Sequence, residues 1–131
     1  MNSPERVMAA IEAYVRPLIE LGRDGGLVIG DGGFHFTGME LSVAVQEQIL
    51  VTVILCNNQA FGAIRSGQDR NFGSRRFGSN LWNPDYGMLA AAFGIPCARV
   101  TDAAAFQPAL TDAISSGELR IIELAMEMQD P

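Results

Sequence analysis

Apolar and polar positions change period several times along this chain, and the changes mark out alternating helices and strands. Near the start, Val7, Ile11, Tyr14, Val15, Leu18 and Leu21 recur at helical spacing. Ser3-Pro4-Glu5 supplies a capping serine, a proline for the first turn and an acid against the helix dipole. Pro17 should kink this helix, and Gly22 with Gly25-Gly26 should end it. Leu27 to Ile29 is a short apolar run closed by Gly30, the pattern of a buried parallel strand. From Thr37 to about Gln48 the spacing is helical again, and Ile49 to Cys56 is the strongest strand signal. Asn83-Pro84-Asp85 caps a helix running through Phe93 and ended by Gly94. Pro96 to Val100 reads as a strand, Ala103 to Ser115 as a helix, and Arg120 to Ala125 as the last strand. The stretch from Gly62 to Asn80 reads as a loop rich in glycine, arginine and serine; a loop that long is usually functional or disordered.

This alternation predicts an α/β fold, a parallel β-sheet with helices on both faces and right-handed crossovers. The 131 residues suit one domain. The expected division is an N-terminal amphipathic helix over 1–26 and the α/β domain over 27–131. A hydrophobic share of 48% excludes disorder, and a net charge of −6 argues against a nucleic-acid binder. All nine basic residues are arginines, and Arg65, Arg70, Arg75 and Arg76 fall in one stretch. No window holds the roughly 18 consecutive apolar residues of a membrane span, and the opening turns lack a signal peptide's apolar stretch. Cys56 and Cys97 sit in apolar strand-like runs and read as buried reduced thiols. The expectation is a cytoplasmic protein with no membrane segment.

Chemistry concentrates at two strand ends. Gly30-Asp31-Gly32-Gly33 closes the first strand, and Asn57-Asn58 closes the second. Ligands of open parallel sheets bind outside such ends, so both motifs should face one crevice. Glycines around an aspartate let the backbone turn and approach a ligand with free amides, which suits a diphosphate. Asp31 would repel those phosphates unless a cation lay between, and magnesium accepts a few protein oxygens beside phosphate. Asn58 offers a neutral oxygen from the neighbouring strand. A dinucleotide-binding reading fails, because Phe34-His35 breaks the G-x-G-x-x-G pattern and the later ribose-binding acid is missing.

Gly30-Asp31-Gly32, then 24 residues, then Asn57-Asn58 resembles the signature of thiamine diphosphate-dependent enzymes. The stretches GDGGFHFTGMELSVAVQ, ILVTVILCNNQAFGAIR and NPDYGMLAAAFGI resemble the acetolactate synthase-like branch, which includes 2-oxo acid decarboxylases. The resemblance implies thiamine diphosphate and Mg2+ as cofactors, with Asp31, Asn58 and the backbone carbonyl of Ala60 as metal ligands. It implies that Gly30, Gly32, Gly33 and Phe34 form the segment whose backbone holds the diphosphate, and that Phe61, Gly62 and Ala63 cover the phosphate end. Alanine stands at position 60 where relatives commonly have glycine. Glu40 matches a glutamate common in relatives and reads as a packing or hydrogen-bonding residue, with proton transfer as the alternative. His35 reads as a structural neighbour of the site, with a polar contact to substrate as the sharper alternative. For the arginine-rich stretch the alternatives are a solvated loop and a lid attracting anionic 2-oxo acids; Phe77 and Trp82 read as lid anchors or core edges.

The resemblance further implies a partner: a pyrimidine-binding domain or subunit supplies the glutamate that activates the cofactor. Relatives also carry an extra strand and a glycine-rich segment before Gly30, so the fold reads as truncated at its N-terminal side. The expected function is therefore a cofactor-holding domain or subunit of a 2-oxo acid lyase or transferase, oligomeric and inactive alone. The alternative is a non-catalytic remnant that keeps the fold and the binding motif.

Overall fold

The computed structural model describes residues 26–126, and the helix expected before Gly26 lies outside them. Among the described residues four strands form: β1 (Gly26–Gly30), β2 (Thr52–Asn57), β3 (Cys97–Val100) and β4 (Arg120–Ala125). All neighbours are parallel, and the order across the sheet is β1-β2-β4-β3. Five helices among the described residues accompany them: α1 (Asp31–Thr37), α2 (Leu41–Gln46), α3 (Gly62–Phe72), α4 (Tyr86–Ala92) and α5 (Ala103–Ser116). A 3-10 turn over Gly38–Glu40 joins α1 to α2.

Side chains alternate across a strand, so β2 and β4 each feed two cores. On one face Val53, Leu55 and Ile121 pack with Phe34, Leu41, Tyr86, Ala90 and Ile95 from the α1, α2 and α4 side. On the other, Ile54 and Ile122 pack with Val100 and with Phe106, Leu110 and Ala113 of α5. Those α5 positions recur at four and three residues, the stripe of a helix buried on one side. Connections β1→β2 and β2→β3 advance across the sheet over one face, and β3→β4 returns over the opposite face. A constant crossover hand requires this switch of face with direction. Burying each large aliphatic side chain of β2 and β4 contributes about 1.5–3 kcal/mol. As expected, the sheet is parallel and has helices on both faces.

Three local expectations need correction. Helix begins at Asp31, not Thr37, because the glycine-rich motif itself forms the first turn of α1. The second strand begins at Thr52, and Ile49 and Leu50 stay exposed ahead of it. Residues 62–72, read as loop, form α3. No residue of α3 is buried, so it carries no apolar stripe for a periodicity reading to find. It forms from residues with good helix propensity such as Ala63, Arg65, Gln68 and Arg70, and stops at Gly73 in the left-handed region (φ 59°). β1 is an edge strand among the described residues, and its Leu27 and Val28 are exposed. No helix among the described residues is long and apolar enough to cross a membrane.

The cap of α3 gives a direct check. Gly73→Ala should destabilise the protein by about 1 kcal/mol, the cost of a Cβ at positive φ, read as a lower thermal midpoint.

Candidate functional site at the strand tips

β1 and β2 pair with Gly30 opposite Cys56, so Asp31 and Asn57-Asn58 leave the sheet side by side at its carboxyl end. Asp31 opens α1 and is only 1% exposed. Its Oδ1 accepts the Gly32 N–H at 2.9 Å, and its Oδ2 accepts Asn83 Nδ2 at 2.7 Å. Asn83 Nδ2 also donates to Asn57 Oδ1 at 2.8 Å. Asn57, buried at the end of β2, donates through Nδ2 to Glu123 Oε1 at 2.7 Å. His35 Nε2 lies 2.8 Å from Asn83 Oδ1. Five polar side chains from three elements and one loop thus form a single network.

The turn after β2 is held by its own asparagines. Asn57 Oδ1 accepts the Gln59 N–H and Asn58 Oδ1 accepts the Ala60 N–H, both at 3.2 Å. Between them Gln59 sits at φ 56°, a left-handed conformation that costs a non-glycine residue about 1 kcal/mol or more. Segment 73–85 then crosses the tips. The Phe61 N–H donates to the Ser79 carbonyl and the Leu81 N–H to the Gln59 carbonyl, each at 2.8 Å, and Ala60 bridges Asn80. This pinning delivers Asn83 to Asp31.

Close approach explains one glycine. A Cβ on Gly32 would lie 2.6 Å from the Phe61 ring, so α1 and the turn after β2 meet there only because position 32 is glycine. The N-cap residues of α1 and α3, Gly30 and Phe61, make no side-chain cap, although Asp31 takes the Gly32 N–H of α1. By contrast Asp85 caps α4 and Asp102 caps α5, each accepting a backbone N–H at 2.9 Å. Apart from that of Gly32, the amides opening α1 and α3 at the tips are therefore without a side-chain cap and suited to an anionic ligand.

Of the residues singled out in the sequence, Asp31, Gly32, Asn58, Ala60, Phe61 and Gly62 gather at these tips, with Gly30 at the end of β1. Gly33 and Ala63 are exposed on the first turns of α1 and α3. Phe34 turns its ring into the core, edge-on to Tyr86 at 5.5 Å between centroids. Glu40 is exposed in the 3-10 turn. Phe77 and Trp82 are 90% and 87% exposed, so neither is a core edge. The arginine-rich stretch is not one loop. Arg65 and Arg70 lie on α3, while Arg76 is ion-paired to Asp69 through two contacts of 2.7 and 3.1 Å. That pairing holds the Asp69 carboxyl below its usual range. Three members of the network went unassigned in the sequence: Asn57, Asn83 and Glu123. The one available signal was a carboxylate inside the apolar run Ile121–Ala125.

Buried charge also acts on its neighbours. Tyr86 has its hydroxyl pKa pushed well up, first by burial and then by the carboxylates of Asp31 and Glu123. That hydroxyl is buried and has no hydrogen-bond partner among the described residues. Cys56 and Cys97 are free and half-buried, not fully buried as expected. Burial is the main cause raising both thiol pKa values, with Asp31 adding to it at Cys56 and Glu123 at Cys97.

A parallel sheet with helices on both faces and a polar cluster at adjacent strand tips defines a ligand-binding α/β domain. The sequence model of the family described as "Thiamine pyrophosphate enzyme, C-terminal TPP binding domain" matches residues 9–124, and the chain belongs to that family. It is 30% identical over 101 residues to the acetolactate synthase isozyme 2 large subunit of Escherichia coli, covering 76% of this chain and 18% of the relative. It is 31% identical over 102 residues to the mitochondrial acetolactate synthase catalytic subunit of Aspergillus candidus, covering 78% and 15%. Among solved structures, the thiamine diphosphate-dependent 4-hydroxybenzoylformate decarboxylase of Rhodococcus jostii RHA1 superimposes with a TM-score of 0.74 at 25% identity, covering 81% of this chain and 20% of that one. The chain thus spans a fifth or less of the length of these three proteins.

Two measurements test the electrostatics. Tyr86→Phe removes a buried hydroxyl without a partner, so stability should stay level or rise by up to about 1 kcal/mol in chemical denaturation. Raised thiol pKa values mean less thiolate at pH 8. Alkylation of Cys56 and Cys97 in the folded chain should be slower than that of a free cysteine at that pH, and its pH–rate midpoint should lie higher.

Proposed function

We propose that this chain holds the diphosphate end of thiamine diphosphate at the tips of β1 and β2. A magnesium ion would be held there by the Asp31 carboxylate, the Asn58 side-chain oxygen and the Ala60 backbone carbonyl. The observation that carries the reading is the burial of Asp31. A carboxylate taken out of water needs charge compensation or a full set of donors. Both of its hydrogen-bond partners among the described residues are neutral. Carboxylate, amide and carbonyl oxygens are the hard donors that Mg2+ takes, and the Asn58 oxygen has a second lone pair beside the one facing Ala60. The residues present fit the ion.

Around that position the amides of Gly33 and Phe34, and those of Gly62 and Ala63 at the start of α3, are suited to phosphate oxygens. The Gly32 and Phe61 amides are already donated to Asp31 and to the Ser79 carbonyl and shape the turn around them. Gly30 ends β1 with no side chain to obstruct the approach. When bound, thiamine diphosphate supplies the electron sink for 2-oxo acid chemistry. The chain's own part is to orient the cofactor and neutralise its phosphates.

The larger protein in this reading is an acetolactate synthase-like enzyme or 2-oxo acid decarboxylase, a transferase or lyase acting in the cytoplasm as an oligomer. Its catalysis requires a pyrimidine-binding partner domain. Two observations support the partner. The chain spans a small part of its relatives. Phe36 on α1, with Phe77 and Trp82 on the segment crossing the tips, presents large apolar side chains to solvent beside the site. The free thiols accord with a reducing compartment.

Titration calorimetry of the purified chain with thiamine diphosphate tests the core of the proposal. Binding should require Mg2+ and vanish with a chelator, and Asp31→Ala should weaken it by at least about 10- to 100-fold. Affinity indifferent to Mg2+, or unchanged in Asp31→Ala, would overturn the assignment.

A further inference from the structure

A side-chain amide donates at one end and accepts at the other, so a chain of amides between fixed partners has a direction. Glu123 sets that direction here. It stands within the apolar run of β4, is 3% exposed, and faces the same side of the sheet as Asn57 and Leu55. A carboxylate only accepts, so Asn57 must turn its Nδ2 to Glu123 and its Oδ1 toward the strand tips. There Oδ1 takes one hydrogen of Asn83 Nδ2, and the other hydrogen goes to Asp31 Oδ2. Both donor positions of Asn83 are then used, and its Oδ1 must face His35. His35 can complete the chain only with a hydrogen on Nε2.

We infer that Glu123 is a positioning residue: through Asn57 and Asn83 it fixes the orientation of the Asp31 carboxylate at the far side of the network. Without an acceptor at 123, only the longer Gln59 N–H contact of 3.2 Å to Oδ1 opposes Asn57 turning over. Asn83 would then lose its partner on β2, and Asp31 would lose the donor that holds Oδ2. The amide order rests on the hydrogen-bond geometry alone, whereas its consequence for cofactor affinity rests on the function proposed above.

His35 is the single histidine of the chain, so nitrogen NMR of the full-length protein reports one imidazole without ambiguity. Wild type should carry its hydrogen on Nε2; an imidazole protonated on Nδ1 alone overturns the inference. In Glu123→Met, exchange protection of the Asn83 side-chain amide should fall about tenfold, the equivalent of one lost buried hydrogen bond. Glu123→Gln keeps an acceptor and should restore most of that protection. Unchanged Asn83 protection in folded Glu123→Met overturns the inference. The wild-type tautomer needs no variant, so refutation stays within reach if Glu123→Met does not fold. Calorimetry with Mg2+ and thiamine diphosphate completes the test: Glu123→Met should bind at least about tenfold more weakly, and Glu123→Gln should recover most of the affinity. Lost protection with unchanged affinity overturns the positioning role. If wild type shows the expected NMR pattern but no cofactor binding, the amide order stands and the proposed function falls.

Discussion

A carboxylate held out of water at the tip of β1 is the constraint around which this end of the molecule is organised. Burying Asp31 with neutral donors alone leaves negative charge inside the protein, and its surroundings respond. Asn83 is brought from the far end of segment 73–85 to supply a hydrogen bond. The Tyr86 hydroxyl and the Cys56 thiol are both kept protonated in part by the same charge. An ordinary core would have an apolar residue at position 31. The cation proposed above would complete an acid kept there.

The sheet makes this placement possible. Parallel pairing without a register break between β1 and β2 sends Asp31 and Asn57 out at the same height. Alternation along β2 puts Val53 and Leu55 in the core and Asn57 on the same face at its end. The polar network thus begins where the hydrophobic core stops. Glu123 lies two residues beyond Ile121 on that face, so its carboxylate reaches the network from below, through the sheet's own periodicity. Fold and site share one set of strand positions.

Much of this was legible in the residues. Period changes along the chain located all four strands, and the two strand-end motifs pointed to one crevice. What escaped reading had physical causes. α3 has no buried residue, so no periodic apolar signal distinguished it from loop. Asn83 sits before a proline and next to a good N-cap, and its amide reaches across 52 residues to Asp31, a contact local rules cannot supply. Glu123 stood out as a charge in an apolar strand, but only strand order shows what it meets. His35 was placed beside the site, and its partner depends on the same long-range loop. Local chemistry was readable; pairings across the fold were not.

Segment 73–85 has two mechanically different halves. From Ser79 onward it is stitched to residues 59–61 by backbone hydrogen bonds and a bridge. Before that, Gly73, Ser74 and Gly78 all take left-handed backbone angles, and Phe77 is turned to solvent. This front half is tied instead to α3, through Gln68 to the Phe77 backbone and Arg76 to Asp69, so a change of length there would disturb α3 before it reached Asn83. The spacing from Ser79 to Asp85 is thus under tighter geometric control than the stretch before it, because one residue more or less there would move Asn83 off Asp31.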